Sequence, residues 1–130
     1  MHLLVSIKMT DCSQVCGGRF SHGLAATLRI ISGKWKPLVL FFLRDGPKRY
    51  GELKRLIQGV SDKVLIQQLK DLEADHVLAR TDYQEVPPRV DYALTPLGRS
   101  LSDAIVPLCI WGTENAAEMA SIFAKRDTLL

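Results

Sequence analysis

The sequence predicts an α+β fold, mostly α, in which two helices joined by a short turn precede a β-hairpin and a long last helix. Three observations support this prediction. Apolar residues recur at helical spacing after Ser61, a residue type that favours helix starts. Two segments of alternating polarity flank Pro87-Pro88, as the strands of a hairpin would. Thr95-Pro96 then has the form of a helix start, with a capping residue followed by proline.

The composition is that of one small domain. The chain has 130 residues, 47% of them apolar and 24% charged, with a net charge of +3, so one core of modest size is expected. No segment approaches the roughly 20 apolar residues of a membrane helix. The start lacks the basic region and cleavage site of a signal peptide, and we therefore expect a cytoplasmic protein. The three cysteines are an odd number without zinc-ligand spacing, so neither a disulfide framework nor a metal or other cofactor is expected.

The first part of the chain is predicted to contain an arm and two helices. Residues 1–20 show no regular pattern and are predicted to be a flexible arm. A helix is predicted over residues 24–31, ended by Gly33. The apolar run Leu38–Leu43 fits either a buried helix or a buried strand by periodicity alone. Pro37 favours a helix, because proline suits a first helical turn but removes a hydrogen bond from a central strand.

The middle of the chain is predicted to be a helix-turn-helix. Residues 48–57 place apolar side chains on one helical face, and Gly59-Val60 marks a turn. In the helix after Ser61, the apolar stripe comprises Leu65, Leu69, Leu72 and His76, and the opposite face comprises Lys63, Gln67, Lys70 and Ala74. Long donors on that face reach phosphates and base edges in a DNA major groove. The alternative is a helix face that is merely solvated.

The hairpin adds a second feature that is typical of DNA-binding proteins. Pro87-Pro88 stiffen the loop between the strands, which reduces the entropy lost on binding. Arg89 is predicted at the tip, where it reaches a minor groove or a phosphate. A surface hairpin that binds nothing is the alternative, and the preceding helix-turn-helix argues against it.

Basic charge is concentrated in the same region of the chain. From Arg44 to Lys70 there are seven basic residues against three acidic ones, whereas from Pro96 to Lys125 there are two basic against three acidic. Contact with DNA phosphates requires basic charge concentrated in one region of the protein.

The last helix is predicted from Pro96 to about Lys125, with a kink or break at Pro107. It carries more large apolar side chains than one small domain has room to bury. A dimer interface would cover them. The alternative is that this helix covers only its own core.

An ordered series of short motifs lies between residues 24 and 112. The motifs are Gly33-Lys34-Trp35, Gly46–Leu53, Val60–Leu65, Leu69–Glu73, Val86–Tyr92, Leu94–Gly98 and Trp111. Together they resemble the HxlR-type family of bacterial and archaeal transcription regulators, which are similar to MarR-type winged helices. The resemblance implies a homodimeric winged helix-turn-helix with N- and C-terminal dimerisation helices. Its recognition helix would run from Ser61 to about His76, and its wing would span residues 86–90.

The resemblance and the residue pattern together define the expected domains and sites. Residues 1–20 would form the arm, 21–112 the DNA-binding domain, and 96–125 a dimerisation region that overlaps the end of that domain. The predicted DNA-contacting residues are Arg49, Ser61, Lys63, Gln67, Lys70 and Arg89. The predicted dimer interface consists of Leu24, Leu28, Leu108, Trp111, Met119, Ile122 and Phe123.

The cysteines depart from the family pattern. Many family members resemble thiol sensors with a cysteine at a fixed distance before the Gly-Lys-Trp motif, and His22 occupies that position here. Cys16 and Cys12 lie further upstream and are candidates for redox sensing. Cys109 has apolar neighbours in sequence and is expected to be a packed side chain.

We therefore expect a sequence-specific transcription regulator that binds a palindromic operator in double-stranded DNA as a homodimer and responds to a small molecule or a redox signal. The alternative is a winged-helix protein–protein interaction module without DNA binding. Lys63, Lys70 and Arg89 argue against that alternative. The sequence contains no phosphate-binding glycine loop, metal-ligand set or nucleophile motif, so we expect that it is not an enzyme.

Overall fold

The computed structural model describes residues 18–129, which divide into two units that are described separately. The described part of the first unit, residues 18–33, contains helix α1 (Gly18–Ile31). This helix begins before the predicted start at residue 24, so residues 18–20 are helical and not part of the expected arm. The rest of that arm, residues 1–17, lies outside the described range. Gly33 follows the helix with φ of 91°, a conformation that favours glycine.

The second unit, residues 34–129 of the described chain, contains the helix-turn-helix, the hairpin and the last helices. Its elements are α2 (Trp35–Phe42), β1 (Lys48–Arg49), α3 (Tyr50–Leu56), α4 (Asp62–Ala74), β2 (Leu78–Asp82), β3 (Val90–Leu94), α5 (Pro96–Glu114) and α6 (Ala116–Leu129). The strands form one antiparallel sheet in the order β1-β3-β2, and Arg80 of β2 lies opposite Tyr92 of β3. This is the predicted α+β, mostly α, architecture. Over residues 18–129, no helix has the length and apolar character needed to cross a membrane.

The first strand is a departure from the sequence-based prediction. Lys48 and Arg49 pair with β3, whereas we expected them to belong to the following helix. Arg49 is extended, with φ of −76° and ψ of 159°, and it is the N-cap of α3. Its backbone N–H donates to Oε1 of Glu52 at 3.0 Å, so the helix begins at Tyr50. A helical reading of these two residues missed their pairing with a strand that lies far along the chain.

The end of the chain also differs from the prediction of a kink or break at Pro107. The helix is interrupted at Asn115, so a break at Pro107 is wrong, and a kink there stays a prediction. Helix α5 continues through Pro107, although proline lacks the N–H of one helical hydrogen bond and its ring crowds the carbonyl four residues earlier. The backbone N–H and the side-chain Nδ2 of Asn115 both donate to the carbonyl oxygen of Trp111, at 3.0 and 2.8 Å. An asparagine side chain that competes for a helix carbonyl favours a helix end.

The core of the second unit is formed by one face of each of its main elements. The buried apolar residues are Val39, Leu40, Leu43, Leu53, Ile57, Val60, Leu65, Leu69, Leu72, Val77, Leu78 and Ile105. Helix α2 contacts both α4 and α5, and α4 also contacts β2. The apolar run of residues 38–43 is therefore largely a buried helix, as Pro37 predicted. Burial of each such side chain contributes about 1.5–3 kcal/mol relative to exposure.

Helix α4 ends at Ala74 in a hydrogen-bonded cap. His76, two residues after the helix end, has φ of 61°. Its N–H donates to the carbonyl of Glu73 at 3.0 Å. The N–H of Val77 donates to the carbonyl of Leu72 at 3.1 Å, and both of these side chains are buried. The pair of bonds satisfies helix carbonyls that would otherwise lack donors. His76 is exposed beyond the helix end, so the prediction that it extends the apolar stripe is wrong.

The start of α5 is joined to the end of α4 by Thr95. Its Oγ donates to the carbonyl of His76 at 2.7 Å and accepts from the N–H of Gly98 at 3.0 Å. Its own N–H donates to the carbonyl of Val77 at 3.2 Å. A Cβ on Gly98 would lie 1.9 Å from that same carbonyl oxygen, so only glycine fits this contact between helix and backbone.

We predict that Gly98→Ala destabilises the fold by about 1–3 kcal/mol or more, because the new methyl group overlaps a backbone oxygen that cannot rotate away. Urea unfolding at one fixed protein concentration measures the change. Gly51→Ala is the matched control, since no heavy atom lies within 4 Å of its added Cβ. The control should be neutral or stabilising by up to about 1 kcal/mol. Equal midpoints for the two variants would contradict this account of the contact.

Candidate nucleic-acid interface

The outward face of α4 carries the side chains that the sequence assigned to DNA contact. Lys63, Gln67 and Lys70 are all exposed, and they lie opposite the buried leucines of the same helix. The helix has 13 residues, about 20 Å at 1.5 Å per residue. A helix of this size enters a DNA major groove, where lysine reaches phosphates and glutamine reaches base edges.

The first turn of α4 is held by its own cap and by α3. Ser61 Oγ accepts a hydrogen bond from the backbone N–H of Val64 at 3.2 Å, which leaves the hydroxyl hydrogen available to a phosphate. The hydroxyl of Tyr50 donates to Oδ1 of Asp62, and Lys54 Nζ lies 3.8 Å from the same oxygen. Two side chains from α3 therefore converge on the first residue of α4.

A cleft of about 520 Å³ lies between α4 and the sheet. It is lined by Tyr50, Ile66, Lys70, Glu73, Arg80, Val90 and Tyr92. Two cations, Lys70 of α4 and Arg80 of β2, thus share one groove. Sequence reasoning found Lys70 but missed Arg80. The available signal was strand alternation, which places residues 78 and 80 on one face, but the register that turns this face towards α4 is not visible in the sequence.

Arg89 is held against the hairpin and does not form its tip. The exposed loop lies before it, and Arg89 itself is half-buried. Its Nη2 donates to Oδ2 of Asp91 at 3.2 Å, and its guanidinium stacks on the ring of Tyr83 at 4.4 Å from the centroid. The hydrogen bond to Asp91 and its negative charge raise the pKa of Arg89. The charge on Arg89 is therefore permanent, but its direction is set by two neighbours.

Arg49 pairs with Asp91 across the sheet through the backbone register. It lies at the end of β1, and its side chain is exposed. By strand alternation, Arg49 and Asp91, with which Arg89 is paired, lie on one face of the sheet, while Arg80 lies on the opposite face and shares the cleft with Lys70 of α4. The basic side chains of the sheet are therefore divided between its two faces.

Six of the seven residues predicted at a dimer interface are exposed. Leu24 and Leu28 in the first unit, and Leu108, Trp111, Ile122 and Phe123 in the second, each have between 47% and 63% of their surface exposed. Met119 is half-buried and lines a shallow groove of about 190 Å³ beside Trp111 at the junction of α5 and α6. Large apolar side chains that are exposed in a group, as those of α5 and α6 are, are typical of protein contacts.

The described residues include one cysteine and no cluster of metal-ligand side chains. Cys12 and Cys16 lie outside the described range, and Cys109 is a half-buried free thiol on α5. Within residues 18–129, no group of three or more His, Cys, Asp or Glu side chains lies together as metal ligands would.

Comparison with known proteins supports the geometry. Residues 30–120 match the family model described as HxlR-like helix-turn-helix. The HTH-type transcriptional regulator YkvN of Bacillus subtilis is 50% identical over 94 residues, which cover 72% of this chain and 80% of YkvN. YtcD of the same organism is 45% identical over 97 residues, which cover 75% of this chain and 77% of YtcD. These relatives are transcriptional regulators and not enzymes.

Solved structures confirm the winged helix-turn-helix class. The redox regulator HypR in its reduced form aligns with a TM-score of 0.72 and 36% identity, over 76% of this chain and 98% of the other. A MarR-family regulator from Enterococcus faecalis V583 aligns with a TM-score of 0.68 and 37% identity, over 89% of this chain and 99% of the other. The reduced form of YodB from B. subtilis aligns with a TM-score of 0.61 and 30% identity, over 69% of this chain and 88% of YodB.

We predict an alkaline loss of stability that depends on Tyr50. Burial and the hydrogen bond to the Asp62 carboxylate raise the pKa of Tyr50 from 10.0 to about 12. A raised folded pKa stabilises the protein below pH 10, and this contribution disappears as the pH rises from 10 through about 12. Tyr50→Phe should cost about 1 kcal/mol at neutral pH and should weaken the alkaline dependence.

Urea unfolding at several pH values, with absorbance titration of tyrosinate, measures both effects. Tyr83→Phe is the control, because it removes a hydroxyl from an exposed tyrosine of the hairpin that is not among the groups raising the pKa of Tyr50. An ordinary titration of Tyr50 near pH 10 would show that the link between α3 and α4 is not formed.

Proposed function

Because the chain belongs to the HxlR-like helix-turn-helix family of transcription regulators, we propose that it binds a palindromic DNA operator as a homodimer and that a small molecule or a redox signal controls this binding. The observation that carries the proposal is the exposed polar face of α4, with Lys70 sharing a cleft with Arg80 of the adjoining sheet. Such a face next to a protruding hairpin suits a DNA groove and its flanking phosphates. The place of action would be the cytoplasm.

In this proposal, α4 enters the major groove and the hairpin follows the adjacent backbone. Lys63 and Lys70 bind phosphates, Gln67 reads a base edge, and Ser61 donates to a phosphate at the helix N-terminus. Arg49 and Arg89 reach phosphates or a minor groove from the other face of the hairpin. The DNA-binding domain would span residues 21–112.

The dimer would form through the exposed apolar side chains of the first and last helices. Leu24 and Leu28 of α1 and the apolar side chains of residues 96–125 would be covered by a second copy, which removes their surface from water. A two-fold dimer presents two copies of α4 to half-sites about 10 base pairs apart. This spacing gives the operator its palindromic form.

Two signals are compatible with the proposal. HypR is described as a redox regulator, and by analogy Cys16 or Cys12 of this chain would sense oxidation through a thiolate. A small molecule that favours one arrangement of the dimer is the other signal. Replacement of each cysteine by serine separates the two.

The proposal is tested by footprinting the purified, reduced protein on the DNA upstream of its own gene and on random-sequence DNA, before and after mild peroxide. We expect two protected half-sites about 10 base pairs apart and related by a two-fold axis. If peroxide abolishes protection by the wild-type protein but not by Cys16→Ser or Cys12→Ser, the replaced cysteine is the redox sensor. Unchanged protection assigns the signal to a small molecule. Failure to bind any DNA at low salt would contradict the proposal and favour the protein-interaction alternative.

The phosphate contacts predict specific changes in salt dependence. Lys63→Ala and Arg89→Ala should each reduce the slope of log affinity against log salt by about one unit, because each phosphate contact releases about 0.9 counterions. Lys125→Ala, which removes an exposed cation from α6, is the matched control and should leave the slope unchanged. Affinity measured at four or more salt concentrations gives the slopes. An unchanged slope would remove that residue from the set of phosphate contacts.

A further inference from the structure

A largely buried lysine side chain lies beneath α4. Lys36 of α2 exposes only 11% of its side chain. A buried charge destabilises a fold unless it is paired. The partner is Asp71 of α4, whose Oδ2 lies 3.3 Å from the Nζ of Lys36. Because the Asp71 side chain is 39% exposed, this pair connects the core to the outer surface of α4.

The second oxygen of Asp71 is bonded to a residue on the proposed DNA-contacting face. Gln67 Nε2 donates to Asp71 Oδ1 at 2.8 Å. The hydrogen bond from Gln67 and the ion pair with Lys36 lower the pKa of Asp71, so its carboxylate is ionised at neutral pH. Each carboxylate oxygen therefore has its own partner, and Lys36, Asp71 and Gln67 form one connected chain from core to surface.

We propose that Lys36 and Asp71 are positioning residues that orient the Gln67 amide for base recognition, and that they thereby set the sequence preference of the protein. The inference rests on the proposed DNA-binding function and assigns a role to two residues that the sequence pattern did not indicate. Lys36 is buried and so does not itself reach DNA. Its effect passes through Asp71.

The chemistry of the amide gives the reason. A glutamine side chain has two N–H donors and one carbonyl acceptor. With one N–H engaged by Asp71, the other N–H and the carbonyl oxygen remain for a base edge, and adenine requires that donor and acceptor together. An amide that is already oriented loses less rotamer entropy on binding. The preference for the correct base therefore depends on how firmly Asp71 is held.

A change at Lys36 separates positioning from electrostatic effects. Lys36→Met keeps most of the length of the side chain in the core and removes the charge. The carboxylate of Asp71 that is left unpaired is 39% exposed and can be hydrated, which limits the cost of losing its partner. The unpaired Asp71 carboxylate would repel phosphates and weaken binding to all sequences alike. Only a loss of orientation at Gln67 would change the relative affinity for different bases at one position.

The experiment selects binding sites from a random duplex library with the wild-type protein and then measures affinity for every single-base variant of the selected site. Gln67→Ala should reduce discrimination at one base pair in each half-site by about 5- to 150-fold. Lys36→Met should reduce discrimination at that same base pair by about 2- to 30-fold and leave the other positions unchanged. Lys36→Arg, which keeps the charge, should retain most of the discrimination.

Combination with Gln67→Ala tests the route of the effect. In a Gln67→Ala background, Lys36→Met should cause no further loss of discrimination, since the residue that it positions is gone. Urea unfolding confirms that each variant is folded. If Lys36→Met does not fold, the double variant Lys36→Met/Asp71→Ala leaves no unpaired charge in the core and should show the same loss.

Three results are distinguishable. Full discrimination in folded Lys36→Met or in the double variant, with loss in Gln67→Ala, overturns the positioning role. Unchanged discrimination in Gln67→Ala overturns it as well, because no base reader remains to be positioned, yet DNA binding itself stands. No enriched sequence for the wild-type protein would contradict the proposed function.

Discussion

Burial of the inner face of α4 is the constraint on which the rest of the structure depends. Leu65, Leu69 and Leu72 are at most 1% exposed, and rotation of the helix about its axis would bring them into water at about 1.5–3 kcal/mol each. Because side chains follow the helix period, fixing these three fixes the outward direction of Lys63 and Gln67. The hydrophobic effect therefore sets the orientation of the polar face, and the polar contacts of Asp62 and Asp71 add to it.

The capped end of α4 carries this constraint into the hairpin. Thr95 donates hydrogen bonds to the carbonyls of His76 and Val77. The residue that follows β3 is therefore bonded to the residues that precede β2. This closure keeps Leu78 opposite Leu94 at the base of the hairpin. Strand alternation from the buried Leu78 then directs Arg80 to the same face. The cleft beside α4 follows from these contacts, and no direct bond between Arg80 and the helix is required.

The sequence predicted what depends on local pattern and missed what depends on long-range pairing. The leucine stripe of α4, the Ser61 cap and the hairpin around Pro87-Pro88 follow from spacing and residue type, and the described residues confirm them. The short β1 strand was missed, because two residues carry no period and their partner lies far along the chain. Asp71 received no role from the sequence, because it acquires its partner Lys36 only when α2 packs against α4.

The ion pairs also divide the basic residues of the proposed interface into two kinds. Among the described residues, Lys63 and Lys70 form no ion pair, whereas Arg80 lies 4.0 Å from Asp82 and Arg89 lies 3.2 Å from Asp91. A lysine without an ion pair binds a phosphate without losing another partner. An arginine that is paired with a carboxylate must release that carboxylate, or bind it and the phosphate together. In return, an arginine that is already held loses less side-chain freedom when it binds. The lysines of α4 would therefore bind phosphates without giving up a partner, whereas Arg80 and Arg89 would share or release a carboxylate when they bind.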